Sequence, residues 1–208
     1  MDNLFAYSPE QLAGLPKGAI DLSLGCANPV LVARLRPGEI VVDLGCGGGI
    51  DTLLAARNVG EGGLVVGVDR LPPMLQRAQS YAQQAGLASA LFVCADLTAL
   101  PFPHDTLDVA ISNNALNLLA NRRHALAEAF RVLKAGGRFI LADSVETGVP
   151  TSDQRADLDA WANLPTLKEY EETLPAVGFV GLDFSLGPVL RHSGPVLARP
   201  MLVVGAKP

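Results

Sequence analysis

The chain has 208 residues, 49% of them hydrophobic, and a formal net charge of −5. That length suits one α/β domain with a modest extension and would cramp two independent cores, while an acidic balance without any block of lysine or arginine argues against a nucleic-acid partner. Three cysteines, Cys26, Cys46 and Cys94, form no CxxC pair, so neither a disulfide framework nor a zinc site is indicated and no metal is expected.

Residues 1–36 read as a leading segment without a strand: a helical piece from Pro9 to Leu15, then "LSLGCANPV". Its opening Met1-Asp2-Asn3-Leu4 lacks the basic and apolar regions of a secretory signal. No apolar run reaches the roughly 18 residues a membrane helix needs, so a soluble cytoplasmic protein is expected. Residues 37–208 then alternate strand and helix. Ile40 to Leu44 is an apolar strand, followed by a helix with Ile50, Leu53 and Leu54 on one face. Leu64 to Val68 is a second strand, ending at Asp69. Pro72 and Pro73 open a helix whose apolar face is Met74, Ala78, Tyr81, Ala82 and Ala85, stopped by Gly86. Ala90 to Ala95 is a third strand, ending at Asp96, and Leu107 to Ser112 a fourth, ending at Asn113. A helix from Asn121 carries Leu126, Ala129, Phe130 and Leu133, with Gly136-Gly137 after it. Arg138 to Ala142 is strand five, ending at Asp143. Thr151 to Leu174 reads as helix broken by Pro165, and Phe179 to Leu186 and Arg199 to Ala206 as two closing strands able to pair antiparallel. Apolar rather than alternating strands mean both faces are covered, as in a doubly wound parallel sheet.

In such sheets ligands bind at the carboxyl ends of the strands, which here carry Asp43, Asp69, Asp96, Asn113 and Asp143. The loop "VVDLGCGGGID" invites a ligand against its main chain. A G-x-G-x-x-G reading fails because Ile50 stands where the third glycine belongs, and no phosphate-loop lysine follows. A pyrophosphate would also meet the Asp43 carboxylate in a confined cleft, a repulsion on the order of several kcal/mol. The loop therefore suits a ligand that is positive on that side. Asp69, 26 residues past Asp43, is placed to accept hydrogen bonds from both ribose hydroxyls, and Asp96 from an adenine amine. An adenosine with a cationic sulfonium tail, S-adenosylmethionine, meets all three demands.

"VVDLGCGGG", "VVGVDRLPPML", "ADLTALPFPHDTLDVAISN" and "EAFRVLKAGGRFILAD" make residues 38–145 resemble the class I S-adenosylmethionine-dependent methyltransferases. That resemblance implies an α/β, Rossmann-like, mostly parallel seven-stranded sheet with an antiparallel last strand. "YSPEQLAGLPKGAIDLSLGCANPV" and "ISNNALNL" look more narrowly like the arsenite methyltransferase branch, which binds trivalent arsenic through cysteine thiolates. The branch places one thiol where this chain has Asn114 and another just past Trp161, where it reads "WANLPTLKEY". Both are missing, and asparagine is a hard group unsuited to a soft arsenic centre. Cys94 reads as a small buried hydrophobe of its strand.

The expected cofactor residues are Asp43, Gly45, Cys46, Gly47 and Gly49 in the loop, Asp69 and Arg70 at the ribose and adenine, Asp96 and Leu97 at the adenine edge, and Asn113 at the methionine portion. On the acceptor side stand Asn114, with Asn117 behind it, His192 beside Arg191 in the loop between the last two strands, and Tyr7, closing over the cleft from the leading segment. For each a bland role remains open: a turn cap, an exposed loop histidine, a packing tyrosine. Three functions follow: methyl transfer to a small-molecule acceptor, arsenite or metalloid methylation through Cys26, or cofactor binding without catalysis. Nothing in the residues fixes the oligomeric state.

Overall fold

Apolar runs separated by glycine turns and amphipathic helices give the alternation seen in the computed structural model, which describes residues 3–147, 164–191 and 197–208. The strands are β1 (Ile40–Leu44), β2 (Leu64–Asp69), β3 (Ala90–Cys94), β4 (Leu107–Asn113), β5 (Leu133–Glu146), β6 (Val180–Leu186), a two-residue β7 (Leu190–Arg191) and β8 (Leu197–Ala206). They form one sheet in the order β3-β2-β1-β4-β5-β8-β6, with β7 paired to β8. β1 is parallel to both β2 and β4, Val41 standing between Val65 and Val109 and Leu44 between Val68 and Ser112. The chain thus leaves β1 in one direction and returns on its other side, which opens a crevice at the ends of β1 and β4. Among the described strands, β8 alone runs against its neighbours β5, β6 and the short β7.

Both faces are covered. Val42, Leu44, Val68 and Leu141 share one apolar cluster with Leu126 and Ala129 of α6 (Arg122–Val132) and Leu174 of α7 (Leu167–Val177). Their neighbours Val41, Val65, Val109 and Ile140 point the other way, into a cluster with Leu53 and Ala56 of α4 (Ile50–Val59). The leading segment joins that second cluster through Leu15, Ala19, Ala27 and Val30. Burying one such large side chain contributes roughly 1.5–3 kcal/mol, whereas the exposed bonds from Arg57 Nη1 to the Gln11 and Ala13 carbonyls are individually worth less. Apolar packing therefore holds the segment on α4.

Several expectations about elements change. The leading segment carries three short helices, α1 (Pro9–Leu12), α2 (Lys17–Asp21) and α3 (Pro29–Ala33), not one piece to Leu15. Gly14 takes a left-handed backbone and ends the first, and the Asn28 side chain caps the third. In α5 (Pro72–Gln84) the buried residues are Leu75, Ala78 and Ala82, so Met74 is freed to face a cavity. Gly136-Gly137 does not separate helix from strand. α6 passes straight into β5, whose start includes both glycines because Gly136 and Gly137 exchange hydrogen bonds with Lys207. α7 begins only after Thr166, which closes a capping box with Glu169, and it continues past Leu174 through Pro175 to Val177; residues 151–163 of the expected helix lie outside the described residues. Cys94 is exposed, because β3 is an edge strand and has no neighbour beyond it. Among the described residues, no helix is long and apolar enough to cross a membrane.

Candidate functional site

β1 delivers Asp43 to the crevice and then turns sharply. The Gly45 and Cys46 amides both donate to the Val68 carbonyl, at 2.8 and 3.0 Å, which ties the turn to β2. Gly45 sits at φ +76°, and a Cβ on it would lie 2.3 Å from the Ala115 methyl. Only glycine lets the two walls approach this closely. Gly49, at φ +84°, precedes α4, and a Cβ there would strike Ala78 and Phe92 rather than any ligand space.

The resulting cavity is about 410 Å³, within the usual range for small-molecule sites. Nine of the ten cofactor candidates line it: Asp43, Gly45, Cys46, Gly47, Asp69, Arg70, Asp96, Leu97 and Asn113. Gly49 does not; it packs the helix start against α5 and β3, and Gly48 takes its place in the lining. Asp69 accepts from the Gly47 amide on one oxygen and from the Leu71 amide on the other, each at 2.9 Å. Both oxygens are thereby fixed, and each keeps a lone pair for a ligand hydroxyl. Asp96 spends one oxygen on the Thr98 amide and hydroxyl and leaves the other open.

The sequence reading overlooked Asp51. An acid in the first turn of a helix is ordinarily explained by the helix dipole, and nothing in the residue pattern set this one apart. In the structure it is 4% exposed and lines the cavity beside Asp43, which is 1% exposed. Thr52 Oγ1 donates to Asp43 at 2.6 Å. Burial first, then the charge of Asp51, pushes Asp43 up to about 8. Burial pushes Asp51 up to about 6, against the opposite pull of hydrogen bonds from Asn113 and Tyr7. Two buried carboxylates facing one space favour a cation there.

Asn113 binds the leading segment to this pair. Its Nδ2 donates to Asp51 at 2.9 Å, to the Ala27 carbonyl at 2.8 Å and to the Tyr7 hydroxyl at 3.0 Å, while its Oδ1 accepts from the Cys26 amide at 2.9 Å. Tyr7 donates its own proton to Asp51 at 2.9 Å. It supports the carboxylate from behind and is not part of the cavity lining. Asn114 does line the cavity, at φ +56°. Its Nδ2 donates to the Leu24 carbonyl at 3.0 Å, and its Oδ1 accepts from Asn117 at 2.8 Å and Ser144 at 3.0 Å. Its side chain therefore fastens the leading segment to the ends of β4 and β5, and one Nδ2 proton is left over. His192 lies outside the described residues.

Asp143, expected at the end of strand five, lies inside it, because pairing with β8 carries β5 on to Glu146; it is fully buried and is pushed up to about 7 by that burial. It accepts a short hydrogen bond from Tyr170 of α7 and does not line the cavity. The three cysteines are free thiols, and burial, with the nearby Asp143 charge, pushes Cys26 up to about 12.

A family described as a methyltransferase domain matches residues 35–185. An arsenite methyltransferase of Halobacterium salinarum is 33% identical over 183 residues, covering 86% of this chain and 46% of that protein. A ubiquinone/menaquinone biosynthesis C-methyltransferase of Methylococcus capsulatus is 35% identical over 137 residues, covering 65% of this chain and 55% of that protein. The chain thus spans about half the length of these relatives. The crystal structure of an arsenic(III) S-adenosylmethionine methyltransferase from Chlamydomonas reinhardtii superposes with a TM-score of 0.81 at 24% identity, over 98% of this chain and 75% of that one, a likeness of fold. With the family match running from just before β1 to the end of β6, the chain belongs to the methyltransferase-domain family, on the Rossmann-like sheet of the S-adenosylmethionine-dependent methyltransferases.

Proposed function

We propose that this protein transfers a methyl group from S-adenosylmethionine to a small-molecule acceptor. The observation that carries the reading is one cavity floored by a glycine turn and lined by Asp43, Asp51, Asp69 and Asp96, with Arg70 the sole cationic side chain in its described lining. That distribution repels a pyrophosphate and attracts a sulfonium. Asp69 holds the ribose hydroxyls, Leu97 and Arg70 flank the adenine, the open Asp96 oxygen takes the adenine amine, and Asp43 and Asp51 face the cationic end. S-adenosylmethionine supplies, when bound, an electrophilic methyl carbon that accepts a lone pair from the acceptor while the C–S bonding pair stays on sulfur. The chain's part is to align the two molecules and to exclude water from the cleft.

Calorimetry on the purified protein tests this reading. S-adenosylmethionine and S-adenosylhomocysteine bind, NAD and ATP do not, and Asp69→Ala weakens the donor by about a hundredfold, the scale of two charge-assisted hydrogen bonds. Binding of NAD or ATP in preference to both adenosyl compounds would sink it.

The similarity to an arsenite methyltransferase supports arsenite as a second acceptor reading. Its chemistry asks for thiolates, and Cys26, the one thiol beside the leading segment's contact with Asn113, is held protonated by its burial. Arsenite turnover that disappears in Cys26→Ser would favour this reading; turnover that survives the change removes the thiol on which it rests.

A further inference from the structure

Among the described residues, the large apolar side chains left most open to solvent converge. Leu24 is 83% exposed, Leu118 75% and Leu71 51%, and all three line the one cavity described above. They come from the leading segment, from the turn after β4 and from the β2–α5 junction. Single exposed leucines need no explanation, but three segments converging on one opening do. Leu71 follows Asp69 by two residues and lies on the donor side. Leu24 and Leu118 stand at the end of β4: the Leu24 carbonyl is held by Asn114, and the Leu118 amide donates to the Ala115 carbonyl at 3.2 Å. Ala115 and Leu119 complete this side of the wall. The charged lining residues, Asp43, Asp51, Asp69, Arg70 and Asp96, all belong to the ends of β1, β2 and β3 or to α4. Of these only Asp51 reaches the end of β4, where Asn113 Nδ2 donates to it at 2.9 Å; the lining residues of segments 22–25 and 114–119 carry no ionisable side chain. An anionic acceptor would lose its water there beside that carboxylate, and a cationic one would find Asp51 already engaged by Asn113, Tyr7 and, on the methyl-transfer reading, the donor's cationic end.

We infer that the acceptor is an uncharged, largely apolar molecule seated between Leu24 and Leu118. This rests on the methyl-transfer reading and narrows it. The one free Asn114 Nδ2 proton allows a single hydrogen bond to a carbonyl or hydroxyl oxygen of that molecule.

The test uses protein saturated with S-adenosylhomocysteine, so that no probe takes the donor's place. 2-Naphthol and its 6-sulfonate share one ring system and differ by a charge. The neutral ring binds, and the sulfonate binds at least about tenfold more weakly. Leu24→Ser and Leu118→Ser each weaken the neutral ring by about fivefold or more, since each removes an apolar contact. Both side chains are exposed, so the variants keep their fold and their S-adenosylhomocysteine affinity stays within about twofold. Equal binding of the two rings, or neutral binding unchanged in the double variant, overturns the inference. So does a loaded protein that takes up neither ring while the serine variants melt at lower temperature, because the leucines are then covered by the chain itself. Loss of S-adenosylhomocysteine affinity in the unaltered protein is a separate result, which overturns the methyl-transfer reading.

Discussion

The two halves of the cavity are built on different principles. The donor half, at the ends of β1, β2 and β3, is made of carboxylates and a glycine turn, with the turn and Asp69 fixed by backbone hydrogen bonds and Asp43 and Asp51 by neighbouring side chains. The other half, at the end of β4, is made of leucines and asparagines contributed across large sequence separations. Charge sets what the first half holds; shape and the absence of charge set what the second admits. On the proposed reading, the sheet edge fixes the donor and the segment laid across it decides the acceptor.

The largest effect that separates the halves comes from Gly45. Valine there would have to place its Cβ where the Ala115 methyl already is, at a left-handed backbone angle. Overpacking of this kind costs about 1–3 kcal/mol in stability, and the wall must shift into the donor space. Gly45→Val is therefore expected to lose donor binding by more than about a hundredfold, read by calorimetry, in a protein that still melts cooperatively. Loss of the cooperative melt would mean that the turn holds the whole fold and not the donor half alone.

That contrast also divides what was legible in the sequence from what was not. Asp43, Asp69 and Asp96 stand at the ends of apolar strands, and strand ends in a parallel sheet share one edge, so position and chemistry were read together. Asp51 carried no such mark, because a first-turn acid has an ordinary reason to be there. The acceptor wall depends on contacts such as Asn113 to Cys26 and Asn114 to Leu24, 87 and 90 residues apart, which no local period encodes. The junction of α6 and β5 was misread for a related reason. Gly136-Gly137 looks like a turn until Lys207, at the far end of the chain, supplies its pairing.

A pH series sharpens the comparison further. Asp43, Asp51 and Asp143 are raised to about 8, 6 and 7 in the folded protein, against about 3.9 in an unfolded chain. The folded form then holds more protons than the unfolded one between about pH 4 and 8, so stability falls as pH rises through that window and is level above it, by at most about 1.4 kcal/mol per pH unit for each extra proton. Urea unfolding from pH 5 to 8 should show the decline, and Asp43→Asn should flatten its upper part. A cationic donor draws a proton off the carboxylate pair, so its affinity rises between pH 6 and 8 in the parent protein and less in Asp43→Asn. The 2-naphthol affinity at the β4 side stays level over the same range. If it followed the donor's profile, the two halves would share their electrostatics.

The smallest expected effect lies at the seam between the halves. Tyr7→Phe keeps the ring and its packing, and removes the one hydroxyl that both donates to Asp51 and accepts from Asn113. A hydrogen bond to a charged group is worth about 1.5–3 kcal/mol, but Asn113 remains bonded to Asp51 and to the Ala27 carbonyl, so only part of that is lost. Donor affinity should fall by about fivefold. The Cys26 and Ala27 amides, which donate to Asn113 Oδ1 at 2.9 and 3.4 Å, should exchange their hydrogens faster as the leading segment loosens. A reacting group would show itself differently, as a lower turnover at saturating donor with exchange untouched. Slower turnover together with faster exchange marks Tyr7 as a positioning residue, through which the leading segment that carries Leu24 is coupled to the carboxylate that faces the donor.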